Sequence, residues 1–230
     1  MSTRLFASAL ARLDNLVPNR VRARALVALL LLAAPAVVAQ VRPGGQMRIV
    51  LVVDSSSTIV PMITDFRAGL AAFLDTLPGD PEIAVISTGS QMRIRVQPTT
   101  DRLKLRAAAA SFSSDGGGNS LLDSLLEADQ RLLKNVAERR SVFVILTSDG
   151  GGSGTVTPAR INVYNRFVDD FLARGGRAHA VVVGSVNRGV TTQIAENLAR
   201  NTGGFYNSIV IGNAIPKLMT TMAEYVAADQ

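Results

Sequence analysis

The chain has 230 residues, an apolar share of 47%, and 24 Lys+Arg against 18 Asp+Glu, for a formal net charge of +6. The apolar content excludes a disordered chain. The absence of cysteine excludes a disulfide framework, a thiolate zinc site and a cysteine nucleophile, and a single histidine excludes a multi-histidine metal centre.

Charge is concentrated at the N-terminus. Arg4, Arg12, Arg20, Arg22 and Arg24 stand against Asp14 alone, so residues 1–39 carry +4, while 19 basic and 17 acidic groups leave +2 on residues 40–230. That remainder gives no case for a nucleic-acid partner. Arg20, Arg22 and Arg24 directly precede the 15-residue apolar run Ala25–Ala39, ALVALLLLAAPAVVA. Small residues Val37 and Ala39 stand at the −3 and −1 positions of a cleavage site before Gln40. The pattern is that of a secretory signal peptide. The run falls short of the roughly 20 apolar residues of a bilayer span, although the stretch from Arg24 to Arg42 is long enough to leave an uncleaved anchor as the alternative, and the only membrane attachment expected. Either outcome places residues 40–230 outside the cytoplasm, periplasmic or secreted, by the positive-inside rule. No cysteine follows the run, which excludes a lipoprotein anchor, and no adjacent arginine pair precedes it, which argues against twin-arginine export.

Residues 40–46 read as a linker and 47–230 as one domain. Met47–Val53 is a β-branched strand ending at Asp54. Met62–Leu77 carries Phe66, Leu70, Phe73, Leu74 and Leu77 at helical spacing, and Pro78-Gly79-Asp80-Pro81 ends it. Glu82–Ser87 and Met92–Gln97 read as strands joined by a short connection, an antiparallel pair. Asp101–Phe112 is a helix with Thr100 as its predicted cap, Ser113–Gly118 a glycine-rich loop, and Leu121–Val136 a long amphipathic helix. Ser141–Thr147 is an apolar strand, Thr157-Pro158 opens a helix to about Ala173, and Ala178–Val183 is a strand. Thr192–Asn201 is a helix, Phe205–Ile209 a short strand and Ile215–Ala228 a closing helix. Apolar strands alternating with amphipathic helices predict a doubly wound α/β domain: a mostly parallel sheet with one antiparallel edge strand and helices on both faces. Ligands bind such sheets outside the carboxyl ends of the strands, here just after Val53, Thr147 and Val183.

Two of those ends carry oxygen ligands. Asp54, Ser56 and Thr58 alternate along Asp54-Ser55-Ser56-Ser57-Thr58 and project to one side of an extended turn. Asp149, before Gly150-Gly151-Gly152, follows the apolar strand 141–147. In neighbouring parallel strands the two aspartates approach one crevice, and carboxylates with hydroxyls suit a hard cation such as Mg²⁺. Several other polar residues read as structural. Ser120-Leu121-Leu122-Asp123 resembles a capping box; Asp115 reads as a solvated loop residue, Arg93 and Arg95 as the solvated face of an edge strand, and Arg139-Arg140 as a solvated helix end. His179, inside an apolar strand, reads as a core residue.

In these residues and their order, the chain resembles the von Willebrand factor type A domain over residues 46–228. The family's metal-ion-dependent adhesion site has an Asp-x-Ser-x-Ser motif, matched by Asp54, Ser56 and Thr58, and an Asp-Gly, matched by Asp149-Gly150. A Gly-Gly-Thr-x-Leu-x-Asp-x-Leu segment is matched by Gly117–Leu125 with Asn119 in the threonine position. The resemblance implies Mg²⁺ or Mn²⁺ held by Asp54, Ser56, Thr58, Asn119 and Asp149, with an open position for a Glu or Asp of a protein partner, and a binding module instead of an enzyme. Asn119 is the departure from the pattern: an amide oxygen also ligates hard cations, and it equally well caps the helix after it. A metal-dependent phosphohydrolase of the haloacid dehalogenase type is the alternative. It requires a second aspartate where Ser56 stands and a lysine at the site, whereas Lys104, Lys134 and Lys217 all fall in predicted helices. A family scaffold whose metal site has decayed is the third reading. A serine hydrolase elbow and a phosphate-binding loop are absent from the sequence.

Overall fold

The computed structural model describes residues 47–136, 139–150, 157–184 and 189–229. The expected export segment and linker, residues 1–46, lie outside them. Among the described residues no helix is long and apolar enough to cross a membrane. The chain runs β1 (Arg48–Val53), a 3₁₀ turn (Ser57–Met62), α1 (Ile63–Thr76), β2 (Glu82–Ser87), β3 (Arg93–Thr99), α2 (Arg102–Ala110) and α3 (Leu121–Ala128). It continues with a π-helical turn (Asp129–Leu133), β4 (Ser141–Ser148), α4 (Pro158–Ala173), β5 (Arg177–Val183), α5 (Val190–Asn201), β6 (Tyr206–Ile209) and α6 (Ile215–Ala228).

The strands form one sheet in the order β3-β2-β1-β4-β5-β6, with only the β2–β3 pair antiparallel. The doubly wound sheet predicted from the sequence is therefore the observed one. Because side chains alternate along a strand, β1 feeds two cores. Ile49, Leu51 and Val53 face α1, α2 and α6, while Val50 and Val52 face α3, α4 and α5. Phe66 and Phe73 anchor the first core and Phe143 and Phe171 the second, all with essentially no exposure. Each such side chain contributes about 1.5–3 kcal/mol of burial free energy. Helices α1 and α6 cross closely enough that a Cβ added at Gly69 would lie 2.4 Å from Ile215 Cγ2.

Three local expectations are corrected. The predicted helix 121–136 is α-helical only to Ala128. The turn that follows bonds Lys134 N–H to the Asp129 carbonyl, five residues back, while the Asp129 carboxylate accepts two hydrogen bonds from Arg174 at 2.8 Å. The α2 cap is Asp101 and not Thr100, its carboxylate accepting from the N–H groups of Leu103 and Lys104. No capping box forms at Ser120: its hydroxyl donates to the Thr88 carbonyl, and Asp123 instead accepts from Arg160. The Thr157 cap with Pro158 in the first turn is as predicted.

Strand order reverses at β1, whose two neighbours β2 and β4 are reached in opposite directions along the sheet. The crevice at this switch point is where open α/β sheets bind ligands. It lies between the carboxyl ends of β1 and β4, which carry Asp54 and Ser148-Asp149.

Candidate metal centre

The loop after β1 is held by its odd-numbered residues. Ser55 donates its hydroxyl to Asp115 Oδ2 at 2.8 Å and accepts from Gly89 N–H at 2.7 Å, and its carbonyl accepts from Asp115 N–H. Ser57 donates N–H and Oγ–H to the Gly117 carbonyl at 3.0 and 3.1 Å. Ser114 donates to the carbonyls of Ser55 and Ser56. Ser55 and Ser57 thus fasten the loop to residues 113–118; the extended turn expected over residues 54–58 ends at Ser56, and Thr58 lies in the 3₁₀ turn.

Asp54 and Ser56 have no exposure at all. Asp54 Oδ1 accepts from Ser56 N–H at 2.7 Å; Oδ2 accepts from Ser148 N–H and Asn119 Nδ2–H, both at 3.0 Å, and from the Ser148 hydroxyl. Ser56 Oγ, by contrast, is buried with no hydrogen-bond partner. A buried hydroxyl left unpaired costs about 1–3 kcal/mol, so an orphan two residues from a buried carboxylate marks the place of an absent polar partner. Thr58 lies against Gly150: a Cβ there would stand 2.3 Å from Thr58 Cγ2 and 2.7 Å from Oγ1. The two residues share a cavity of about 360 Å³ with Asp149, Met62, Val183, Gly184 and Val210.

Of the five residues singled out from the sequence, Asp54 and Ser56 meet through the Ser56 N–H, Asn119 joins them at Asp54, and Thr58 and Asp149 border one cavity. Besides Asp54, two more arrive with their polar atoms already engaged. Asn119 was expected to offer an amide oxygen to a cation. Its oxygen instead accepts from Thr88 Oγ1 at 2.8 Å, and its nitrogen faces Asp54 and Thr147 Oγ1. Asp149 caps α5 from a distant point in the chain, accepting from Gly189 N–H at 2.8 Å, Thr192 Oγ1 at 2.6 Å and Thr192 N–H at 3.3 Å. The positive end of the helix dipole favours its charge there. Among the described residues no group of three or more His, Cys, Asp or Glu side chains is placed to hold a metal ion. A cation in this crevice would have hydroxyl oxygens and the Asp54 carboxylate to draw on. The residues fit that role through the orphaned Ser56 Oγ, the neighbouring Asp54 Oδ1 with a single donor, and Thr58 Oγ1 at the cavity.

Two supporting residues were missed in the sequence. Asp115, read as solvated, has a side chain only 6% exposed and accepts from Ser55, Ser87, Arg93 and Arg95. Arg95, read as part of a solvated face, turns under the loop to reach it and lies over the Phe112 ring. A basic residue every second position on an edge strand beside a loop aspartate was the available signal. Arg139 and Arg140, read as a solvated helix end, bind the Glu82 carboxylate and the Asp229 carbonyl. His179 is a core residue as expected: buried, with Nδ1 accepting from Phe205 N–H at 3.1 Å.

Gly150 gives a direct prediction. The Gly150→Ala protein is expected to melt lower than wild type, because the added Cβ would stand 2.3 Å from Cγ2, 2.7 Å from Oγ1 and 3.0 Å from Cβ of Thr58, so that this stiff, β-branched side chain must rotate and its backbone give way. Its affinity for Mn²⁺, measured by titration calorimetry, is expected to fall at least tenfold, because that rotation displaces Thr58 Oγ1.

The family model for the von Willebrand factor type A domain matches residues 49–152. No curated protein matches the chain. Among solved structures, a von Willebrand factor type A protein from Catenulispora acidiphila superposes with a TM-score of 0.62 at 15% identity, over 80% of this chain and 43% of that one. Proximal thread matrix protein 1 from the mussel byssus, with a zinc-occupied MIDAS motif, gives 0.62 at 16% identity, over 80% and 46%. Manganese-loaded TRAP protein from Plasmodium vivax gives 0.54 at 18% identity, over 76% and 74%. The chain thus spans less than half the length of the first two. At these identities the superpositions speak to the fold, which is that of von Willebrand factor type A proteins, and the family model adds a sequence match over residues 49–152, under half of the chain.

Proposed function

We infer that this domain is a protein-binding module acting outside the cytoplasm, and that it captures a carboxylate of its partner through a divalent cation. The observation that carries this reading is the buried, unpartnered Ser56 Oγ beside Asp54. Ser56 and Thr58 would hold Mg²⁺ or Mn²⁺ by their hydroxyls, with Asp54 and Asp149 contributing directly or through water. Bound there, the cation supplies a Lewis-acidic position for a Glu or Asp side chain. Half of this donor set is neutral and no further protein anion among the described residues is placed there, which leaves the cation a position for an external carboxylate. Metal occupancy in the thread matrix protein and in TRAP supports the reading.

The rim suits a protein surface. Val60 belongs to the 3₁₀ turn after Thr58 and is 56% exposed; Val210, which lines the cavity, and Ile211 beside it are 70% and 65% exposed. Apolar side chains next to a charge-capturing site favour a folded partner over a small anion. Export is supported by the arginine-flanked apolar run before Gln40. Catalysis of the haloacid dehalogenase type has no support here. Position 56 is serine, and Lys104 lies on α2, Lys217 on α6 and Lys134 just after the π-helical turn.

Titration of the full chain with MnCl₂ by calorimetry tests the reading. Wild type is expected to bind weakly, and Ser56→Ala at least tenfold more weakly still; equal heats from the two proteins would remove Ser56 from the site. A second reading, a scaffold that binds without metal, is favoured by one observation: Asn119 already supplies a donor to Asp54. It predicts no Mn²⁺ heat from wild type.

A further inference from the structure

The two ends of the Asn119 amide are fixed by different neighbours. Its nitrogen lies 3.0 Å from Asp54 Oδ2, 2.7 Å from Thr147 Oγ1 and 3.4 Å from the Ser148 carbonyl oxygen. A carboxylate and a carbonyl can only accept, so the partners themselves select the nitrogen as the end turned toward Asp54. The oxygen is then left for the Thr88 hydroxyl. Exchanging the two ends would set an amide oxygen against the carboxylate.

Asp54 has no exposure, and among the described residues its contacts include no Lys, Arg or His. A buried carboxylate without a cationic partner is costly unless hydrogen-bond donors replace its lost water. Four donors do so here: Ser56 N–H, Ser148 N–H, Ser148 Oγ–H and the Asn119 amide. The first two are backbone groups fixed by the fold. Asn119 stands at the end of the glycine-rich loop before α3, and its single amide group links Asp54 to the end of β4. It is thus a neutral donor delivered by a third segment to a charge that a metal ion would otherwise balance.

We propose that Asn119 sets the metal affinity of this site low by standing in for the cation at Asp54. The proposal rests on the metal reading above. The amide hydrogens stabilise the ionised carboxylate in the absence of metal, so the domain folds with its crevice already formed. A donor and a cation draw on the same negative charge, and each donor already held by Asp54 weakens the pull that remains for a cation. The amide orientation also withholds from the crevice the one oxygen that position 119 has to give. Asn119 therefore exchanges metal affinity for a metal-independent fold.

The test compares the full chain as wild type, Asn119→Thr and Asn119→Ala. Each is titrated with MnCl₂ by calorimetry and melted in EDTA and in excess MnCl₂. Threonine keeps a hydroxyl but removes the amide; alanine removes both. Both variants are expected to melt below wild type in EDTA and to bind Mn²⁺ at least tenfold more tightly. The gain in melting temperature on adding Mn²⁺ is therefore expected to be larger in the variants than in wild type. A variant unfolded in EDTA that regains its circular dichroism spectrum in MnCl₂ supports the proposal equally. Variants that bind no more tightly than a wild type that does bind would overturn the role given to Asn119 and leave the metal reading in place. Variants unfolded in both solutions would also overturn it, assigning the amide to the fold alone. No Mn²⁺ heat and no Mn²⁺-dependent melting shift in any of the three would overturn both.

Discussion

Replacing Asp54 by alanine is expected to lower stability by about 3 kcal/mol and to abolish divalent-ion binding. The loss does not come from an ion pair. It comes from stranding the donors that converge on the carboxylate: the backbone N–H groups of Ser56 and Ser148, the Ser148 hydroxyl and the Asn119 amide. The two backbone groups cannot turn elsewhere, because the ends of β1 and β4 are fixed by their ladder, while Ser148 Oγ and Asn119 recover part of their bonding nearby. For a domain of this size the change corresponds to a fall in melting temperature on the order of 10 °C. Thermal unfolding in EDTA measures it free of any metal contribution. A melting temperature within a degree or two of wild type would mean that Asp54 is not the hub of the crevice.

Asp115→Asn is expected to have the second largest effect, about 2 kcal/mol at neutral pH. The carboxylate joins three segments: Ser55 in the loop after β1, Ser87 at the end of β2, and Arg95 on β3. An amide accepts with only one of its atoms and leaves Arg95 without its counter-charge. Burial pushes the Asp115 carboxyl upward, but hydrogen bonds from Ser55, Ser87 and Arg95, with the charge of Arg95, more than offset it and hold it below its ordinary value. A carboxyl depressed by folding stabilises the fold fully above its unfolded value, near 4, and that stabilisation is lost as the pH falls through the lower folded value. The stability difference between wild type and Asp115→Asn should therefore be constant from pH 7 to about 5 and shrink below about 4.

His179 contributes in a separate window. Burial, and then the charge of Arg177, lower its imidazole to about 4, so its neutral form is the folded one. The stability it lends is complete above its unfolded value of about 6.5 and is lost as the pH falls from there toward 4. Both proteins share that loss, so urea denaturation at pH 7, 5 and 3 separates the two groups. A difference that does not shrink at pH 3 would show that Asp115 acts through shape and not through charge.

The frame of the fold was legible because it rests on periodicity. Continuous apolar runs gave the parallel strands, helical spacing gave the helices, and the order of the two placed Asp54 and Asp149 at the carboxyl ends of β1 and β4. The extended turn read over residues 54–58 holds only as far as Ser56, because a 3₁₀ turn begins at Ser57. What was not legible depends on partners far away in the chain. Asn119 offers a donor and an acceptor in nearly identical shapes, and only the carboxylate of Asp54, 65 positions earlier, selects the nitrogen. Asp149 looks like a free turn residue until Gly189 and Thr192, about 40 positions later, bring a helix end to it. Asp115 sits in a glycine-rich loop whose composition suggests solvent, and its burial is decided by Arg95 on a neighbouring strand. The Asp129 side chain at the π-helical turn is likewise held by Arg174, at the end of another helix. Local pattern thus located the crevice, while the bonding state of its side chains was fixed by tertiary neighbours.

In the proposed site, hydroxyl groups of Ser56 and Thr58 hold a divalent cation beside Asp54. Crystals of the full chain grown with MnCl₂, with diffraction recorded for the anomalous signal of manganese, test it most directly. One anomalous peak is expected in the crevice between β1 and β4, at the roughly 2.1 Å ligand distance of a small hard cation from Ser56 Oγ and Thr58 Oγ1. In the same structure the Asn119 amide nitrogen should be moved off Asp54 or the peak only partly occupied. An empty crevice with Ser56 Oγ still unpartnered, or a peak held by other residues, would contradict it.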